Sequence, residues 1–190
     1  MVIDHLCDQA IGQDLAVACF YYDFASREAQ SPTNMLGSLL KQLLSGPGTI
    51  PVEIMQKFRG QKTAIGGREL QLPDIVKMCA AVTSQQRTFI CVDALDECVS
   101  RHQLEVLDVL GQILRGSPNT RIFMTGRSHI RGVVERALGG KSTSVSIVSR
   151  EDDIATYIRA KLRKDTTPEV MNSRLEDDIM KSIPKENSES

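Results

Sequence analysis

The stretch TFICVDALDEC, from Thr88 to Cys98, limits what this chain can fold into more than any other part of it. Its first half is apolar and β-branched, a pattern that is typical of a buried strand. The strand runs directly into Asp93, and Asp96 and Glu97 follow within four positions. Carboxylates at the end of a buried strand need a positive partner. The stretch therefore predicts a buried strand that ends at a cation site.

Strand patterns alternate with helix patterns along the rest of the chain. This alternation predicts an α/β fold, with a mostly parallel sheet that helices cover on both faces. The predicted strands are Leu15–Phe24, Thr88–Asp93, Thr120–Thr125 and Ser144–Val148; the predicted helices are 2–11, 31–45, 51–58, one that begins at Pro73, 102–115, 150–163 and 168–183.

Composition excludes several classes of function. The 190 residues, of which 41% are hydrophobic and 25% charged, suffice for one α/β domain with a sizeable core. A net charge of −1 provides no field that would attract nucleic acid or an anionic membrane. No apolar run approaches the roughly 20 residues of a membrane span. Five cysteines without a C-x-x-C pair, and three scattered histidines, predict reduced thiols in the cytoplasm and no zinc site.

The acids of the first stretch lie where a parallel sheet binds ligands, outside the carboxyl ends of its strands. An aspartate fixed at a strand end, here Asp93, suits a phosphate-bound Mg²⁺, which takes oxygen ligands. A second acid, Asp96 or Glu97, can orient the water that attacks a terminal phosphate. The residues that follow Thr125 belong to the same edge. The alternative is a solvated acidic turn in which Asp96 caps the next helix.

These residues also carry a family resemblance. TFICVDALDEC resembles the extended Walker B segment of NACHT signalling NTPases, which has the form hhhhD-[GAS]-LDE. More narrowly, it is similar to the nephrocystin 3-like N-terminal modules of large fungal receptor-like proteins. Three further segments, ACFYYDF, RIFMTGR and IVSREDDIATYI, agree with that family in their order. Together the segments cover most of residues 2–163.

The resemblance implies a P-loop NTPase-type, three-layer α/β/α domain that uses Mg²⁺ and ATP as cofactors. It gives Asp93 the Mg²⁺ role, Asp96 or Glu97 the water-orienting catalytic role, and Arg127 the role of a sensor for the terminal phosphate. Arg127 is alternatively a helix-start or surface arginine. Members of the family act in the cytoplasm as switches: ADP holds a closed form, and exchange for ATP permits oligomerisation and signalling.

One element of that family is not found in the sequence. The phosphate loop G-x-x-x-x-G-K-[ST] does not occur among the 190 residues. Gly140-Lys141-Ser142-Thr143 imitates its end, but Glu135 occupies the position of the first glycine, and a helix precedes the segment where a strand is required. The resemblance places the loop and the first strand upstream of Met1. We therefore expect a partial NTPase core at 1–148, the start of a helical region at 149–183 and a polar tail at 184–190.

Three functional hypotheses follow from this pattern. The first is a truncated NACHT module that does not bind or hydrolyse ATP by itself. The second is an interaction module that self-associates or associates with an intact NACHT protein. The third is a full ATPase whose start has been misassigned. In the family the missing strand lies between RIFMT and SVSIV, so its absence predicts an open sheet edge unless the fourth strand moves across to pair with Arg121–Thr125.

Overall fold

The computed structural model describes residues 2–45, 56, 70–139, 142–148, 150–164 and 173–186. The chain divides into two compact units, Met1–Thr143 and Ser144–Ser190. In chain order the first unit contains α1 (Val2–Ala10), β1 (Leu15–Tyr21), α2 (Pro32–Ser45), α3 (Leu72–Gln85), β2 (Arg87–Asp93), α4 (Ser100–Gly116), β3 (Thr120–Met124) and α5 (Arg131–Ala137). Short 3-10 helices cover Phe24–Ala29, Leu95–Glu97 and Ser128–Ile130.

The three strands form one parallel sheet in the order β1-β2-β3. Cys19 of β1 lies beside Cys91 of β2, and Val92 of β2 lies beside Met124 of β3. A parallel arrangement brings the carboxyl ends of all three strands to the same edge of the sheet. The predicted α/β fold is confirmed, and Asp93 stands at that edge.

The main core lies between one face of the sheet and the helices α2, α3 and α4. Side chains alternate across a strand, so Ala18, Ile90 and Val92 all point to this face and are fully buried. The helices contribute apolar residues at helical spacing, which matches the predicted faces of α2 and α3. These helix residues are Leu36, Leu39, Leu40, Leu43, Ile75, Val76, Cys79 and Val82.

The opposite face of the sheet carries a second, thinner layer. Cys19 and Cys91 point away from the main core, and α1 packs against β1. Cys7 of α1 lies close enough to the thiols of Cys19 and Cys91 to interact with them electrostatically. The pKa of Cys7 and the pKa of Cys91 are both raised, mainly because the surrounding protein partly removes the thiols from water. For Cys91 the pKa rises to about 11. Helices therefore lie on both faces of the sheet, and on the second face α1 covers β1.

A side-chain amide from α2 occupies the outer edge of β1. The backbone N–H of Cys19 donates to Gln42 Oε1 at 2.9 Å, and Gln42 Nε2 donates to the carbonyl oxygen of Cys19 at 2.8 Å. One glutamine thus supplies the donor and the acceptor that a neighbouring strand would offer at this point. Exposed strand edges invite pairing with other chains, and this contact blocks the edge of β1.

The predicted fourth strand is wrong. Ser144–Val148 has no strand partner among the described residues, and the side chains of Val145, Ile147 and Val148 are 80%, 93% and 69% exposed. A β-branched, alternating sequence becomes a strand only where a neighbour satisfies its backbone and covers one of its faces. The segment Gly140–Thr143 follows a helix, as predicted; Gly140 and Lys141 lie outside the described residues.

One predicted core position on α4 is also wrong. Leu104 is 64% exposed, because the buried stripe of α4 runs through Val106, Leu107, Leu110 and Ile113. At 3.6 residues per turn, Leu104 falls on the opposite side of the helix from the centre of that stripe. Leu114 lies within the stripe, close to the end of the helix at Gly116, and is half-buried.

The second unit contains two helices that pack against each other, α6 (Glu151–Leu162) and α7 (Ser173–Glu186). α7 ends three residues inside the segment that was predicted to be a polar tail. The predicted start of this helix at 168 lies outside the described residues. So does the predicted helix at 51–58, apart from the helical Gln56. In the described part of the chain, no helix has both the length and the apolar character needed to cross a bilayer.

We expect Gln42→Ala to lower the free energy of unfolding by about 1–3 kcal/mol, because it leaves two backbone groups of a partly buried strand without partners. Gln112→Ala is the matched control, since Gln112 is exposed and bonds only to Asp108 one turn away on α4. Chemical denaturation measures both variants. Equal effects of the two substitutions would contradict a special role for the amide at the β1 edge.

Candidate functional site

The carboxyl edge of the sheet is organised around Asp93, the last residue of β2. Its carbonyl oxygen accepts the N–H of Tyr22 at 3.1 Å, and its Oδ1 accepts a short hydrogen bond from the Thr125 hydroxyl. The backbone N–H of Thr125 donates to the carbonyl oxygen of Val92 at 3.0 Å. Thr125 therefore continues the pairing of β3 with β2 by one step and fixes the Asp93 carboxylate from the side.

Ala94 turns the chain sharply out of β2. It adopts the left-handed conformation, with φ 53° and ψ 47°, which costs a non-glycine residue about 1–2 kcal/mol. Its N–H donates to Thr125 Oγ1 at 3.0 Å, and the N–H of the fully buried Leu95 donates to the Thr125 carbonyl oxygen at 2.9 Å. These bonds hold the turn, which starts the 3-10 helix that carries Asp96 and Glu97.

Arg127 joins both of these acids. Its backbone N–H donates to Asp96 Oδ1 at 3.2 Å, and its Nε lies 3.4 Å from Asp96 Oδ2. Its terminal nitrogen Nη2 lies 3.4 Å from Glu97 Oε1. The side chain of Asp96 is 6% exposed and that of Glu97 is 21% exposed, whereas that of Arg127 is 73% exposed. Both Asp96 oxygens are thus engaged, and the guanidinium reaches solvent.

Gly126 allows this close approach. A Cβ at this position would lie 2.5 Å from Ile130 Cδ1 and 3.3 Å from Asp96 Oδ1. Ile130 is buried in the core and leaves little room to adjust. The absence of a side chain at Gly126 therefore lets the end of β3 pass directly beside Asp96.

The geometry bears on both structural alternatives, the helix cap at Asp96 and the helix-start or surface position of Arg127. Asp96 does not cap α4, whose N-cap is Val99 without a side-chain cap bond. Arg127 does occupy the start of a helix, as the N-cap of the 3-10 helix Ser128–Ile130, but its side chain turns back to the acids. The four residues singled out in the sequence, Asp93, Asp96, Glu97 and Arg127, therefore lie at one edge of the sheet.

Sequence reasoning missed Thr125 and the layer beneath the acidic turn. Thr125 follows Met124, the partner of Val92, so the register alone would have placed it beside Asp93. Beneath the turn, the Tyr22 hydroxyl lies near the Cys98 thiol; the two residues are 5% and 3% exposed. Burial is the main cause that raises the pKa of both groups, which keeps them neutral. They support the turn without adding charge.

Protein side chains alone do not enclose a metal here. No group of three or more His, Cys, Asp or Glu residues in the described part of the chain is arranged to hold a metal ion. Mg²⁺ usually binds through one or two carboxylates and completes its octahedral shell with phosphate and water oxygens. Asp93 fits that mode, because Thr125 engages only its Oδ1 and leaves Oδ2 for a ligand.

Comparison with known proteins gives a family match and several structural likenesses. The family model described as nephrocystin 3, N-terminal, matches residues 1–127. Among solved structures, the Walker-type ATPase PABY2304 of Pyrococcus abyssi is 12% identical, with a TM-score of 0.44, over 96% of this chain and 61% of that one. The chain thus spans about three fifths of that structure. No curated protein matches.

We expect Thr125→Val to lower the free energy of unfolding by about 1–3 kcal/mol, because it deprives Asp93 of a donor and the Ala94 N–H of an acceptor. Thr125→Ser is the matched control: it keeps the hydroxyl and loses only a methyl group. Thermal melts of the two variants against the parent chain measure the difference. A serine variant that is as unstable as the valine variant would show that packing, and not the hydroxyl, holds the turn.

Proposed function

The chain belongs to the nephrocystin 3 N-terminal family, and on that premise we propose that its carboxyl edge is the Mg²⁺ and terminal-phosphate site of a nucleotide-controlled switch of the NACHT type. The observation that supports this most is the placement of Asp93, which Thr125 fixes at the ligand-binding edge of a parallel sheet. A rigid carboxylate with one free oxygen is what a phosphate-bound Mg²⁺ needs from the protein.

In this proposal Asp96, Glu97 and Arg127 each have a separate role. Asp96 uses both oxygens on Arg127 and therefore positions the arginine. Glu97 is engaged through Oε1 only, so its Oε2 can orient a water molecule for attack on a phosphate. Arg127, which is largely exposed, can exchange its contact with Glu97 for a contact with a terminal phosphate. This exchange would make the loop after β3 sensitive to the nucleotide that is bound.

The net charge of the site favours a metal-bound polyphosphate over a metal-free one. Asp93, Asp96 and Glu97 contribute three negative charges and Arg127 one positive charge, which leaves two negative charges at the edge. One Mg²⁺ balances them. A polyphosphate that arrives without metal is repelled, whereas the metal-bound form is not. The signalling role and the cytoplasmic location of the switch remain part of the proposal, as the family resemblance implies them.

We expect Mn²⁺, used as a paramagnetic substitute for Mg²⁺, to broaden the amide NMR signals of Ala94 and Thr125 first. The reason is their distance: paramagnetic broadening falls steeply with distance from the metal, and hydrogen bonds hold both residues next to Asp93 or its hydroxyl partner. Asp93→Asn should abolish the selective broadening, since it removes the charge yet keeps the acceptor for Thr125. Asp108→Asn, at an exposed acid on α4, is the control and should leave the broadening intact. Selective broadening that survives in Asp93→Asn would refute the metal role of Asp93.

We expect these 190 residues to bind ATP–Mg²⁺ only weakly, because they contain no G-x-x-x-x-G-K-[ST] loop to hold the phosphates through backbone N–H groups and a lysine. Titration calorimetry measures the affinity. Binding of micromolar order that Asp93→Ala abolishes would contradict this expectation. It would leave the proposed site in place and show that other residues hold the phosphates.

A further inference from the structure

Three of the five cysteines lie together on the face of the sheet against which α1 packs. Cys19 of β1 and Cys91 of β2 are register partners, and both point away from the main core. Cys7 of α1 interacts electrostatically with both of their thiols. The other two cysteines lie elsewhere, since Cys79 belongs to the main core and Cys98 lies beneath the acidic turn. The proposed nucleotide site uses none of the first three, which we call the thiol cluster.

α1 runs antiparallel to β1, and this alignment brings Cys7 to Cys19. Near the start of α1, Asp4 lies close enough to Tyr21, the last residue of β1, to interact with it electrostatically. One turn later along α1, Cys7 interacts with Cys19, two residues earlier in β1. Cys7 also follows the half-buried Ile3 by four residues, so it lies on the side of α1 that faces the sheet.

Exposure to solvent falls across the thiol cluster. Cys7 is exposed, Cys19 is half-buried and Cys91 is 1% exposed. Cys19 interacts with both of the other thiols and is therefore the central member. A small oxidant in solution reaches Cys7 first, and a neighbouring thiol is then needed to convert the oxidised sulfur into a disulfide. Cys19 is the neighbour that the alignment of α1 with β1 supplies.

We propose that Cys7 and Cys19 form a reversible disulfide when the protein meets hydrogen peroxide. The Cys7 thiolate attacks one peroxide oxygen, the O–O bond breaks, and the products are a sulfenic acid on Cys7 and one water molecule. The Cys19 thiolate then attacks the Cys7 sulfur, the S–O bond breaks, and a second water molecule leaves. Each sulfur loses one electron, the two peroxide oxygens gain these two electrons, and the thiol protons end in the water. A dithiol reductant reverses the reaction by thiol–disulfide exchange.

The sheet itself disfavours the other pairing of the central thiol, Cys19 with Cys91. Hydrogen bonds hold neighbouring strands about 4.7–4.9 Å apart, and this spacing also separates the Cβ atoms of register partners. A disulfide needs Cβ atoms about 3.5–4.5 Å apart. The strands cannot adjust, because the ladder of β1 with β2 fixes them and the amide of Gln42 holds the backbone of Cys19. By contrast, none of the described residues of α1 is fully buried, so this helix can shift toward β1.

The bridge responds to sustained oxidation and not to a brief pulse. The thiolate is the reactive form, and the pKa of Cys7 is raised by desolvation and by its neighbours Cys19, Asp4 and Asp8. Little thiolate is therefore present at neutral pH, and the first step is slow. Once formed, the disulfide joins α1 to β1 across the connection at 11–14 and limits the separation of the helix from the sheet.

Peptide mapping of the peroxide-treated chain tests the proposal. The remaining free thiols are first alkylated, and the chain is then cleaved before each aspartate, which separates Cys7 from Cys19. A disulfide between them appears as one linked pair of peptides, 4–7 with 14–22. This pair should be the main disulfide product, and treatment with dithiothreitol before alkylation should remove it.

Cysteine variants establish which thiols are needed. Cys7→Ser and Cys19→Ser should each abolish the linked pair, whereas Cys91→Ala, the matched control on the same face, should retain it. In the oxidised parent chain, amide hydrogen exchange in α1 should slow about tenfold or more relative to the reduced chain, because the bridge opposes opening of the helix. In Cys7→Ser, peroxide should leave this exchange rate unchanged. Circular dichroism of each variant establishes that the fold persists.

Four results would overturn the proposal. A linked pair of peptides that contains Cys91 would mean that the strands, and not α1, close the bridge. Cross-linked dimers on a non-reducing gel would show that Cys7 reacts between copies. A sulfinic acid on Cys7 without a bridge would show that Cys19 is out of its reach. A Cys7 thiol that excess peroxide leaves unmodified would show that this position does not react with the oxidant.

Discussion

The hydroxyl of Thr125 connects the two strands on which the whole site depends. It donates to Asp93 and accepts from Ala94, so one oxygen atom fixes the last residue of β2 and the first residue of the turn. The backbone of the same residue pairs with Val92 and Leu95. Without these four bonds, Ala94 would keep only the hydrogen bond from the N–H of Glu97 to its carbonyl oxygen, and the acids that follow would no longer be tied to β3 through Thr125.

The turn that results places opposite charges close to each other at little entropic cost. Asp96 is nearly buried, and its backbone is already fixed by the 3-10 helix, so its bonds to Arg127 require little further ordering. Surface ion pairs contribute little to stability because two flexible side chains must be ordered. The pairing of Arg127 is therefore better understood as a means of positioning a cation than as a source of stability.

The sequence predicts this edge well because its signals are local. An apolar strand that ends in an acid, combined with the rule that parallel strands end at one edge, suffices to bring Asp93 and Arg127 together. The different contacts of Asp96 and Glu97 with Arg127 could not be predicted, since they follow from the conformation of Ala94 and the missing Cβ of Gly126. The prediction of a fourth strand was wrong for a related reason. Ser144–Val148 has the composition of a strand, but a strand forms only beside a neighbouring strand, and composition does not show whether one is present.

The alternation of backbone directions along β3 gives one short strand two separate surfaces. Phe123 and Thr125 bond inward to β2 and support the acidic turn, whereas Ile122 and Met124 face the outer edge. Because the two sets alternate within five residues, a strand that pairs with the outer set must also restrain the inner set. A strand that pairs at this edge would thus reduce the freedom of Thr125, and with it that of Asp93. Occupation of this edge and order at Asp93 would then be coupled through the strand itself, and by the reciprocity of linkage whatever orders Asp93 would also favour strand pairing at β3.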